Sequence, residues 1–100
     1  MAVATQPVEL SEDQLLLVAK ALADPRRYEI LKRIGTSDGE ASCANVREWI
    51  DISPATLSHH MKELEAAGLV RSTRDGKFMH YKIQTAVLRA YLSRVKSDLV

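Results

Sequence analysis

Two residues, Asp51 and Ile52, are all that separate one helix-forming segment of this chain from the next. Upstream, residues 43–50 can form a short helix that turns Val46, Trp49 and Ile50 inward. Downstream, Ser53-Pro54 sets a capping hydroxyl before a proline at the first helical position, where a missing N–H costs nothing. The helix it opens spans about 54–67 and is closed by Gly68. Two helices joined so tightly, the second strongly capped, form a helix-turn-helix pattern. The connection carries no glycine, and a plain helical hairpin is the competing reading.

The segments beyond Gly68 decide between them. Leu69-Val70-Arg71-Ser72-Thr73 alternates and is partly β-branched, and Phe78-Met79-His80-Tyr81-Lys82-Ile83 is a second strand. Between them lies Arg74-Asp75-Gly76-Lys77, whose Asp-Gly marks a hairpin turn. A hairpin directly after the second helix of a helix-turn-helix is a wing. Three further helices complete the chain. Ser11 and Gln14 have capping-box spacing and open a helix over 12–23. Its run Leu15-Leu16-Leu17-Val18 is oily on more than one face and calls for cover from the core and from a second subunit. Asp24-Pro25 opens the next helix, lined by Tyr28, Ile30, Leu31 and Ile34 and stopped by Gly35, with a turn at Thr36-Ser37-Asp38-Gly39. Val87, Leu88, Tyr91, Leu92, Val95 and Leu99 recur at helical spacing in the last segment, 85–99. The expected fold is mainly α with a β-hairpin wing: a dimeric winged helix-turn-helix of about five helices and two strands. It fills residues 1–100 as one domain, with 1–10 as a flexible N-terminal segment.

Length and composition agree with a small globular domain. One hundred residues bury only about two thirds of their unfolded surface, so a monomer is marginally stable. With 46% hydrophobic and 27% charged residues, 4 Gly and 3 Pro, collagen-like and disordered classes are excluded. A single cysteine excludes an intrachain disulfide framework and Cys-rich zinc modules. No apolar run is long enough to span a membrane and the start lacks a secretory pattern, so the cytoplasm is the expected compartment. The net charge of +1 conceals blocks of opposite sign. Arg26, Arg27, Lys32 and Arg33 against Glu29 make 25–34 basic, between acidic stretches on either side. Lys62, Arg71, Arg74, Lys77 and Lys82 outweigh Glu63, Glu65 and Asp75 in 53–82. One basic face on a polarised molecule is the implication.

Periodicity divides the helix at 54–67. Leu57, Met61 and Leu64 point to the core, leaving Ala55, His59, Lys62 and Ala66 on the opposite face, flanked by Thr56 and Ser58. Small, hydroxylic and imidazole side chains can contact base edges and a thymine methyl without blocking approach to the major groove. A helix exposed only to water more usually carries Glu, Lys and Gln there. His60 lies nearer the core, as a packed or hydrogen-bonded histidine, and diverges from His59 too far for the pair to chelate one metal. At the wing tip, Arg74 and Lys77 can reach phosphate or the minor groove, although exposed tips are also charged for solubility alone.

The segments ALADPRRYEILKRIG, SPATLSHHMKELEAAGLV and RDGKFMHYKI, in this order and spacing, resemble the ArsR/SmtB family of bacterial transcriptional repressors. The resemblance spans nearly the whole chain. It implies a homodimer joined through the first and last helices, binding palindromic operator DNA, with repression relieved by an effector, most often a metal or metalloid. Here the chain departs from the family. The Cys-x-Cys of its arsenic, cadmium and lead sensors falls on Ser42 and Ala44, with Cys43 between them. The zinc and nickel sites of the last helix are also missing: 85–100 holds no His and one carboxylate, Asp98. His80 is isolated. No metal and no cofactor is therefore expected, and the inducer is unknown. Cys43 has two readings: a small buried hydrophobe, or a redox-sensing thiol that is oxidised, alkylated or paired with Cys43 of a second subunit.

No phosphate-binding glycine loop, spaced metal cluster or nucleophile elbow points to an enzyme. The leading expectation is a dimeric repressor reading double-stranded DNA through Ala55, Thr56, Ser58 and His59, positioned by Lys62, Arg74 and Lys77. The alternative is a winged-helix module that works by protein–protein contact, for which the low net charge speaks.

Overall fold

The computed structural model describes residues 9–100. The segment expected to be flexible lies outside the described residues up to position 8. Leu10, at its end, is buried, and its carbonyl accepts a hydrogen bond from Arg94 Nη1 at 3.0 Å.

Among the described residues, local capping starts four of the five helices. Ser11 Oγ accepts the Gln14 N–H at 3.1 Å at the head of α1 (Glu12–Leu22). Only half of the capping box forms, and Gln14 Nε2 instead donates to the Ala67 carbonyl at 3.5 Å, a tertiary contact. Asp24 accepts the N–H groups of Arg26 and Arg27 at 2.8 and 3.1 Å and opens α2 (Pro25–Thr36). Ser42 caps α3 (Cys43–Trp49) and Ser53 caps α4 (Pro54–Ala66), accepting from Asn45 and Thr56. Each such cap contributes about 1 kcal/mol by satisfying an orphan donor. The last helix, α5 (Thr85–Leu99), has no side-chain cap.

Helix ends follow the sequence less closely. Gly68 closes α4 as expected: its N–H reaches the Glu65 carbonyl at 2.9 Å and that of Leu69 reaches Leu64 at 3.0 Å, a Schellman closure with Gly68 at φ 80°. Gly35 does not stop α2. The helix runs through it to Thr36, and Asp38 takes the left-handed conformation at φ 59° while the Gly39 N–H returns to Ile34 at 3.0 Å. Aspartate tolerates that region better than most residues.

The sheet has three strands, not the two expected. β1 (Glu40–Ser42) joins β2 (Val70–Asp75) and β3 (Phe78–Ile83) in the antiparallel order β1-β3-β2, with Ala41 and Ser72 both opposite Tyr81. Three residues are too few to show a period, so β1 exists only through its partner. The hairpin turn also shifts by one residue. Asp75 pairs with Phe78, which leaves Gly76-Lys77 as the loop, with Gly76 at φ 62°. A left-handed glycine first in a two-residue loop matches the twist of the flanking strands.

The core gathers Val18, Ile30, Ile34, Val46, Met61, Leu64 and Leu69, none with more than 1% of its surface exposed. The expected inward set on α4 is buried: Leu57, Met61 and Leu64. The turn between α3 and α4 is anchored by buried Ile50, whose carbonyl accepts from the Ile52 N–H at 3.0 Å.

The two helix-end glycines separate cleanly. Gly35 has an ordinary helical backbone, and nothing lies within 4 Å of an added Cβ. Gly35→Ala is expected to raise the unfolding free energy by about 0.5–1 kcal/mol. At Gly68 a Cβ would meet Gln14 Nε2 at 2.8 Å on a left-handed backbone, so Gly68→Ala is expected to lower it by about 1–2 kcal/mol. Urea unfolding of the two variants checks both signs.

Candidate nucleic-acid interface

With Leu57, Met61 and Leu64 held inside, 100° per residue turns Ala55, Ser58, His59 and Lys62 outward, and all four are exposed. No carboxylate interrupts the helix between Ala55 and Lys62. Glu65, further along, accepts a hydrogen bond from the Ser72 hydroxyl at 3.2 Å and ties α4 to β2. Thr56 stands apart from the outward set. It is half-buried, its N–H donates to Ser53 Oγ at 3.2 Å, and its own Oγ1 accepts from that hydroxyl at 2.9 Å. Its chemistry is largely engaged in the cap, though the threonine proton is still free to donate.

Arg74 and Lys77 are both exposed at the wing end of the hairpin. Arg74 alternates with Val70 and Ser72, so it shares the sheet face that meets α4. Lys77 occupies the loop itself. Beside it, Phe78 is exposed over 66% of its surface. Strand alternation places Phe78 outward with Arg71 and Lys82, which sit directly opposite each other across β2 and β3.

His60 points the other way from His59. Its ring is buried and Nδ1 lies 3.3 Å from Arg27 Nη1. A guanidinium only donates, so Nδ1 is the acceptor and the proton sits on Nε2. Burial holds the His60 pKa below the ordinary histidine value, Arg27 adds to the effect, and the Asp24 charge opposes it. Asp24 is in turn held below the usual carboxylate range, chiefly by the hydrogen bond from the Arg27 backbone. The two histidine rings diverge, with centroids 6.0 Å apart and planes tilted by 53°. No group of three or more His, Cys, Asp or Glu is gathered among the described residues. The Arg27 contact has no local signature, since its partner is 33 residues away.

Cys43 lies outside this surface. It opens α3, half-buried against the core and neighbouring Tyr81, whose hydroxyl is pushed up to about 12 by burial and by the cysteine. Apolar side chains are also exposed: Leu16 and Leu17 on α1, and Leu92 and Leu99 on α5, a helix that fully buries no residue. Among the described residues, no helix is long and apolar enough to cross a membrane.

Known proteins share this arrangement. The family described as a helix-turn-helix domain matches residues 22–73, which take in α2 to the greater part of β2. The chain is 33% identical to the transcriptional repressor SdpR of Bacillus subtilis (strain 168) over 72 residues, 72% of this chain and 78% of that one. It is 37% identical to the arsenical resistance operon repressor of Staphylococcus aureus over 79 residues, 79% of this chain and 74% of the relative. A solved homodimeric winged helix-turn-helix DNA-binding domain from Mycobacterium bovis, described as a possible ArsR-family transcriptional regulator, has a TM-score of 0.68. It is 29% identical and covers 91% of this chain and 90% of its own. The chain belongs to the ArsR/SmtB family of helix-turn-helix transcriptional regulators.

Proposed function

We propose that the chain is a homodimeric repressor that binds a palindromic operator, with α4 in the major groove and the wing on phosphate or in the minor groove. The carboxylate-free outward stripe of Ala55, Ser58, His59 and Lys62 on α4 carries this reading. Small side chains at its N-terminal half permit close approach to base edges. The Ser58 hydroxyl and the His59 ring supply hydrogen bonds there, and the Ala55 methyl suits a thymine methyl. Thr56 holds the helix start and offers its one free proton. Lys62, Arg74 and Lys77 supply phosphate contacts that set register. The repressor relatives and the homodimeric domain from Mycobacterium bovis support it, and no comparison favours a protein-interaction module. Such a protein represses by occupying its site, works in the cytoplasm and needs no catalytic group. Cys43 is read as a packing residue, on the ground that it lies half-buried against the core.

The apolar side chains on α1 and α5 are the proposed subunit interface. Covering Leu16 and Leu92, each more than half exposed in the single chain, contributes roughly 1–2 kcal/mol apiece. A two-fold axis there would present two copies of α4 to successive turns of the duplex.

Two experiments test the reading. On a duplex recovered by random-site selection, Ser58→Ala and His59→Ala are each expected to weaken binding by about 1–3 kcal/mol and relax sequence preference. Lys77→Ala is expected to weaken selected and unrelated duplexes alike and to lower the slope against log salt by about one. Unaltered mobility-shift titrations for all three would refute the assignment of faces. Separately, the double change Leu16→Lys and Leu92→Lys is expected to give a folded monomer in sedimentation equilibrium with much weakened operator binding. A variant that remained dimeric would place the interface elsewhere.

A further inference from the structure

The guanidinium of Arg27 reaches three anchors on two other helices. Nε donates to the Ala21 carbonyl at 2.9 Å and Nη2 to the Lys20 carbonyl at 3.2 Å, while Nη1 stands 3.3 Å from His60 Nδ1. The first two are carbonyls of the last turn of α1: that of Lys20 also accepts the Ala23 N–H at 3.2 Å, and that of Ala21 has no backbone donor because residue 25 is proline. The third sits on α4, next in sequence to His59 and two residues from Ser58. The root of this side chain is itself fixed, because Asp24 accepts the N–H of Arg27. One residue of α2 therefore joins the end of α1 to the middle of α4. A second polar link joins the same two helices elsewhere, from Gln14 Nε2 to the Ala67 carbonyl.

We propose that Arg27 is a positioning residue for base recognition, which acts through neutral His60 to fix the outward face of α4 relative to α1. The inference rests on the DNA-binding dimer proposed above, in which α1 helps join the protomers. In such a dimer the two copies of α4 must meet half-sites a fixed distance apart. A side chain that sets the geometry between α1 and α4 then governs operator affinity without touching DNA.

The contact has a proton condition. Neutral His60 offers a lone pair at Nδ1; protonated, it would turn an N–H and a positive charge toward the guanidinium in a buried space. The groups facing it are Asp24, Arg26 and Arg27 from the start of α2 and His59 on its own helix. On α1 the Ala21 and Lys20 carbonyls are held by Arg27, and β2 meets α4 through Ser72 and Glu65. Asp24 alone favours the proton; burial and the three other groups oppose it. With the folded pKa below the ordinary 6.5, the contact is fully present above that value. It is lost as pH falls below it.

The test uses the full chain in a His59→Gln background, with the duplex selected anew on that variant because His59 is itself a proposed base contact. Anisotropy titrations on the selected duplex and on a shuffled duplex, at fixed ionic strength, run from about pH 7.5 to about pH 5.5. Circular dichroism at each pH restricts the profile to folded protein. Affinity for the selected duplex is expected to fall toward the acid end of that range by less than about tenfold, the ceiling that one coupled proton with a folded pKa below 6.5 sets there, with the shuffled duplex unaffected. His60→Asn, whose Oδ1 can accept from Arg27 where Nδ1 does, is expected to give a flat profile. Arg27→Lys keeps the charge but lacks the fork, and is expected to lose selected-duplex affinity at the higher pH while shuffled-duplex binding stays the same. Coincident profiles for the parent and His60→Asn overturn the proposal and leave the DNA reading standing. Failure to select any sequence overturns the DNA reading itself.

Discussion

The seam between α2 and α4 is the constraint on which the rest depends. Ile30 and Ile34 from one helix and Met61 and Leu64 from the other are sealed from solvent in one cluster. Each contributes roughly 1.5–3 kcal/mol on burial, several times the worth of a surface ion pair such as Arg33–Glu29. The seam decides more than stability. Because successive residues turn by 100°, fixing Met61 and Leu64 inward fixes His59 and Lys62 outward. A slip of one position would present Leu57 or Met61 to the groove instead. The proposed DNA-reading face is the complement of the packing face, and both are set by the same contacts.

That coupling explains why so much of the surface on α4 is legible in the sequence. The helix starts are legible for a related reason: Ser11, Asp24, Ser42 and Ser53 act on N–H groups two or three residues away. Ends and edges are decided by distant partners. Gly35 looks like a stop, yet the helix continues, and Asp38 turns the chain so that Glu40 can enter the sheet opposite Lys82. β1 is invisible for the same reason, as its three residues become a strand only against β3. Within the site, the place of Thr56 beside the outward face is legible, but its engagement with Ser53 depends on side-chain geometry at the cap. The Arg27–His60 contact joins two ordinary-looking helix residues and shows only in three dimensions.

Of the helices outside this seam, the last is held most lightly. Among them α5 buries no residue fully, although Val87, Leu88 and Tyr91 rest against the core. Near its C-terminal end Arg94 pairs with Asp98 at 2.9 Å and also donates to the Leu10 carbonyl, so the last helix is tied to the residue preceding the α1 cap. Both apolar helices of the proposed interface are thus joined through one arginine. A protomer built this way has a firm reading unit and a border completed by its partner, which fits the marginal burial available to 100 residues.

Ser42 is at once the last residue of β1 and the cap of α3. From Glu40 to Ile83 no connection between elements exceeds four residues, and the Ser72–Glu65 hydrogen bond ties α4 to the sheet. In the proposed complex the wing tip and α4 therefore behave as the two jaws of a rigid caliper. A caliper gauges the distance between what it touches. Where the duplex narrows or widens with sequence, the duplex must supply the adjustment, and base pairs that neither jaw contacts enter the energy of binding through the cost of deforming them.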